Sequence, residues 1–250
     1  PYLYASYDYD DGDGELDNKI AGLKLFMKDE WIKQNSRFKE VSDSPNTKAW
    51  HFHYDSSVES ETGRGIPVEI SSPVFPTPNT MLTEMASLFN YLIANNAQTN
   101  ETTGLHVTMS YRGPTKQYNK VKIVLLLNDK YWLEKFNRQN NSYASSQIDS
   151  IVPNIDLRKA LTLKDTQLKQ LEKLILPTIG TDKYYAVHFK KLENIDKNKL
   201  VEFRILGNKD YEQQYNEVKK AVTQYAGVME AGYNPEAFKD EYNEELRKIL

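Results

Sequence analysis

The sequence predicts an α+β fold in a single domain spanning 1–250, with a helical extension from about residue 211. Three observations carry this. Several stretches alternate polar and apolar residues with period 2, as half-buried strands do. Others place apolar residues at helical spacing. A chain of 250 residues with 39% hydrophobic and 27% charged residues can bury a sizeable core without disulfides or a structural metal.

The elements follow in order. Residues 2–10 (YLYASYDYD) alternate, placing Asp8 and Asp10 on one strand face and Tyr7 and Tyr9 on the other. Asp11-Gly12-Asp13-Gly14 reads as a turn. Leu16, Ile20, Leu23, Phe26, Met27 and Trp31 predict a helix over 16–35. Residues 49–55 alternate again, with His51, His53 and Asp55 on the face opposite Trp50, Phe52 and Tyr54. A hairpin-like connection at 56–65 leads into a strand at Ile66–Ile70, which Ser71-Ser72-Pro73 ends. Pro76 and Pro78 predict an extended link before a helix from Met81 to Asn96.

Thr102–Ser110 reads as a strand entered through Gly104. The apolar run Val121–Leu127 within 117–138 predicts a buried helix, and the Ser/Asn-rich stretch 139–155 reads as a loop or lid. A helix over Leu161–Leu176 stops at Pro177. Tyr184–Phe189 and Leu200–Leu206 read as an antiparallel pair, followed by helices over Tyr211–Glu230 and Pro235–Leu250.

Composition narrows the function. The net charge of −3 is unlike the basic footprint of a nucleic-acid binder, so no nucleic-acid partner is expected. No apolar run approaches 18 residues and no signal-like pattern opens the chain, so no membrane partner is expected. The absence of cysteine excludes thiol nucleophiles and thiolate metal sites. A cytoplasmic location is the expectation.

The candidate chemistry sits on strand faces. Glu69 lies between Val68 and Ile70, either facing water from an edge strand or held by a partner or metal. His106 shares a face with Thr108 and Ser110, opposite Leu105, Val107 and Met109. Glu202 and Arg204 share a face opposite Val201, Phe203 and Ile205, as a solvated salt pair or as a carboxylate beside a phosphate-gripping guanidinium. If these strands share a sheet, the charged groups converge in a cleft. Several carboxylates there call for cations, and oxygen-rich sites suit Mg²⁺ or Mn²⁺ and nucleotide phosphates.

The order of these motifs is similar to that of the amidoligase family of carboxylate–amine ligases. It runs from acid-x-acid on the first strand through Asp55-Ser56-Ser57, Pro67-Val68-Glu69-Ile70-Ser71-Ser72-Pro73 and Gly104-Leu105-His106-Val107 to Val201-Glu202-Phe203-Arg204. The resemblance covers about Tyr2 to Gly232. It implies a glutamine synthetase-like fold, a largely antiparallel curved sheet packed by helices on one face. It also implies ATP-dependent joining of a small-molecule or peptide carboxylate to an amine through an acyl phosphate, with divalent cations on the ATP phosphates. Carried onto this chain, Asp8, Asp10, Glu69 and Glu202 would be metal ligands. His106 would contact metal or phosphate, Arg204 would stabilise the transferring phosphoryl group, and Asp55 would shape the substrate end of the cleft. Two positions depart from the family: Asp8-Tyr9-Asp10 replaces Glu-x-Glu, and Thr108 stands where a second His is frequent. These departures motivate an alternative expectation, a non-catalytic module within a protein assembly such as a bacteriophage virion.

Overall fold

A computed structural model describes residues 2–4, 51–55, 57–59, 65–111, 118–155, 167–189 and 200–249. Asp8, Asp10, the turn at 11–14 and the helix expected at 16–35 lie outside the described residues. The architecture is mixed: two three-stranded antiparallel sheets and seven α-helices among the described residues. The chain divides into two compact units. The described residues up to Thr103, with Asn208–Tyr215, form one; Gly104–Gly207 and the residues from Asn216 form the other.

In the first unit, β1 (Tyr2–Tyr4) and β2 (His51–Tyr54) flank β3 (Gly65–Ser71), both antiparallel to it. The β2–β3 pairing is the hairpin that the alternation predicts. β3 is a middle strand, so the expected edge position of Glu69 is corrected, although its side chain does face water. Helix α1 (Pro78–Ala94) starts three residues earlier than the apolar stripe indicates. Pro78 occupies the first turn, where its missing N–H costs nothing, and the Thr77 side chain caps the Thr80 N–H. The expected extended link therefore ends at Thr77. Leu82, Met85, Leu88, Phe89 and Leu92 form the buried stripe of α1. Phe89 meets Tyr211 and Tyr215 edge-on, with ring centroids 5.9 and 6.2 Å away.

The second unit is built on β4 (Gly104–Ser110), β5 (Val187–His188) and β6 (Leu200–Gly207), in the order β4-β6-β5. The run Val121–Leu127 folds as a buried helix, α2 (Lys120–Leu127), and α3 (Asp129–Lys135) follows it. Asn128, at φ 49°, separates the two, because Asn tolerates the left-handed region better than other non-glycine residues. The expected loop at 139–155 contains α4 (Gln147–Asn154). Its signal is local: Ser146 caps the Asp149 N–H, and Gln147 and Ile151 are buried. Helices α5 (Leu168–Ile175), α6 (Tyr215–Tyr233) and α7 (Lys239–Arg247) complete the unit, and a 3₁₀ turn through Pro177 follows α5.

The core of this unit lies on the apolar face of β6. Val201, Phe203 and Ile205 are fully buried, and Phe203 stacks on Tyr225 of α6 at 4.2 Å. Gly232 lets α6 approach α2, since a Cβ there would stand 2.5 Å from Ile123. Buried Lys122 latches α2 to the turn after α6 by donating to the carbonyls of Asn234, Pro235 and Ala237. Burial lowers its ammonium pKa, against the opposing pull of the Glu236, Glu172 and Glu241 carboxylates. No helix among the described residues is long and apolar enough to cross a membrane.

Candidate functional site

Strand register assembles the site. Thr108 on β4 and His188 on β5 both stand opposite Glu202 on β6. Thr108, Glu202 and His188 therefore form a row across one face of the sheet. Val107 pairs with Phe203 but Leu105 pairs with Leu206, so Arg204 and Ile205 together oppose His106 alone. This bulge bends β6 and places His106 diagonally from Glu202. Gly207 closes the irregular stretch at φ 131°, a conformation open to glycine. Gly104 makes room for the imidazole, because a Cβ there would stand 3.0 Å from His106 Nε2.

Glu202 is the centre of the arrangement and is only 5% exposed. Arg204 Nη1 donates to its Oε1 at 2.7 Å. His188 Nδ1 lies 3.3 Å from Oε2, and His106 Nδ1 lies 3.6 Å from Oε1. A carboxylate only accepts, so the His188 nitrogen facing it carries the hydrogen, and Nε2 of the neutral ring is an acceptor. Arg204 Nε also donates to the Tyr143 carbonyl at 3.4 Å. The expected alternative of a solvated salt pair is overturned, since both partners are largely covered. A carboxylate taken out of water is costly unless its charge is matched, and Arg204 supplies that match. The His106 side chain, 40% exposed, is the accessible member of the group.

Residues 21–224 match a family described as putative amidoligase enzyme. The chain belongs to the amidoligase family. No curated protein and no solved structure matches it.

The residues singled out in the sequence fall into two groups. His106, Glu202 and Arg204 come together on one sheet face in the second unit. Glu69 and Asp55 belong to the first unit. Glu69 is exposed on β3, across from His53 on β2. Asp55 ends β2, where Oδ1 accepts from the Ser57 backbone N–H at 2.9 Å and from its hydroxyl at 2.6 Å. It thereby shapes a turn. His188 is the member that sequence reasoning missed. In the sequence it stands between apolar Val187 and Phe189, which suggests its face but not its partner.

The donor set can be compared with the metal that amidoligase chemistry implies. Among the described residues, no group of three or more His, Asp or Glu side chains could hold a metal ion. Around Glu202 the neighbours are a guanidinium and two imidazoles, and one carboxylate oxygen is committed to Arg204. Mg²⁺ favours several oxygen ligands. The described residues of this face do not by themselves fit a magnesium site. They fit the handling of an anionic group.

Proposed function

We propose that this amidoligase is an ATP-dependent ligase that joins a carboxylate to an amine, with the Glu202 face of the second unit as its reacting site. The observation that carries the reading is the nearly buried Glu202 bracketed by Arg204, His106 and His188, on a strand within the residues that match the family. The reaction has two steps. A carboxylate oxygen of the substrate attacks the γ-phosphorus of ATP, and ADP leaves. The amine nitrogen then attacks the acyl carbon, the amide bond forms, and inorganic phosphate leaves with the proton lost from nitrogen.

In this reading Arg204 faces the negative charge of the transferring phosphoryl group, while Glu202 fixes the guanidinium plane. His106, the accessible imidazole, offers a further hydrogen-bond donor to that group. Metal-ligand roles for Asp8, Asp10 and Glu69, and a substrate role for Asp55, rest on the family resemblance alone.

Mg·ATP should raise the thermal midpoint of the protein. Hydroxylamine should trap an acyl phosphate as a hydroxamate when the true carboxylate is supplied. Absence of any Mg·ATP-dependent stabilisation would sink the ligase reading. A second reading, a non-catalytic module in a protein assembly, is favoured by one observation: a hydroxyl, Thr108, stands directly across from Glu202. That reading expects no ATP turnover and a stable assembly by light scattering.

A further inference from the structure

Beside β5 lies a buried polar network that the ligase reading does not use. Gln147, the first residue of α4, is fully buried. Its side-chain amide pairs with Gly180 in both directions: Nε2 donates to the Gly180 carbonyl at 2.8 Å, and Oε1 accepts from the Gly180 N–H at 3.0 Å. Nε2 also donates to the Val187 carbonyl at 3.0 Å. The Gln147 backbone N–H is held in turn by buried Asp129, whose Oδ2 accepts from it at 2.5 Å and whose Oδ1 accepts from the Ser146 hydroxyl at 2.8 Å.

The position of this network matters because β5 is only two residues long, Val187 and His188. This strand lies at the end of the β4-β6-β5 order, and the chain just before it is tied by Ala186, which donates to the Ser145 carbonyl at 2.9 Å and accepts from the Arg204 N–H at 2.8 Å. The Gln147 amide acts there as a further backbone unit would, satisfying the buried carbonyl next to His188.

We propose that Gln147, backed by Asp129, is a positioning residue that sets the His188 imidazole against Glu202. It touches neither substrate nor reacting atoms and acts through His188. The link to catalysis rests on the ligase reading; the link to His188 does not.

The test follows the His188 ring in ¹⁵N-labelled full-length chain at one fixed pH, without nucleotide, and then during titration with Mg·ATP. In Gln147→Met, folded by circular dichroism, the His188 ring signals should shift by more than a linewidth. Apparent Mg·ATP affinity should fall about tenfold, as for other residues that orient site groups. Superimposable His188 signals, or unchanged affinity, would overturn the proposal. Gln147→Asn, one methylene shorter, serves the same test if Gln147→Met does not fold. In the unaltered protein, a scalar coupling from Gln147 Nε2 to the Val187 carbonyl carbon is expected, and its absence also counts as refutation. If the unaltered protein ignores Mg·ATP, the ligase reading fails, and the ring signals alone decide the positioning role.

Discussion

In the first unit, Glu69 sits on the middle strand of a three-stranded antiparallel sheet and its side chain is exposed. In the second, Glu202 also sits on the middle strand of such a sheet, yet it is 5% exposed and has one guanidinium and two imidazoles around it. Both carboxylates occur in the same local pattern, flanked by apolar residues that point the other way. The pattern assigns a face; it does not assign what covers the face. Where water covers it, the carboxylate needs no partner. Where protein covers it, a partner is obligatory, and the residues that supply it come from two other strands and from two positions further along the same one.

The sharpest way to break this comparison is to remove the partner. Arg204→Met should destabilise the protein by about 3–5 kcal/mol in urea unfolding, because it strands a buried carboxylate. Glu69→Gln should change stability by less than about 0.5 kcal/mol, as at an ordinary surface position. Equal losses would show that the two strands are alike after all.

Asp129 sharpens the contrast from another side, being a buried carboxyl held by hydrogen bonds. Desolvation pushes its pKa up from the ordinary 3.8 to about 6, against the opposing pull of the bonds from Gln147, Ser146 and Ile148. The folded state therefore binds this proton more tightly than the unfolded chain does. Its contribution is most favourable below about pH 4 and falls away as pH rises to about 6, by about 3 kcal/mol in all. The difference in stability between the unaltered protein and Asp129→Asn, followed across that window, should show this slope.

A smaller loss is expected within the helices. Lys122→Met removes the donor to three carbonyls and should cost about 1–3 kcal/mol in thermal or urea unfolding. A smaller loss again is expected for Asp55→Ala in the first unit. It removes a turn acceptor and should cost about 0.5–1 kcal/mol by the same measurement.

Much of the fold was legible because local patterns carry it. The alternation at 49–55, 66–70, 102–110 and 200–206 located four strands, and Met81 to Leu92 marked the apolar stripe of α1, although Leu82 and not Met81 is its buried first member. Helix α4 was hidden by its composition: only Ser146, Ile151 and the contacts of Gln147 make it a helix, and Gln147 finds its partners 33 and 40 residues away. The break at Asn128 between α2 and α3 depends on a single backbone conformation just after the apolar run. At the site, His106, Glu202 and Arg204 were readable from face assignment and motif order. His188 was not singled out, because its role appears only once β5 pairs with β6 and brings it opposite Glu202. The burial of Glu202 was equally out of reach, since it depends on what lies over the sheet and not on the strand itself.

The central claim is that the Glu202 face is where this amidoligase handles ATP. Calorimetric titration of Mg·ATP into the unaltered protein and into folded Glu202→Gln tests it most directly. The account predicts saturable binding to the unaltered protein and binding at least about tenfold weaker in the variant. Equal affinity in the two proteins, or no binding to the unaltered one, would contradict it.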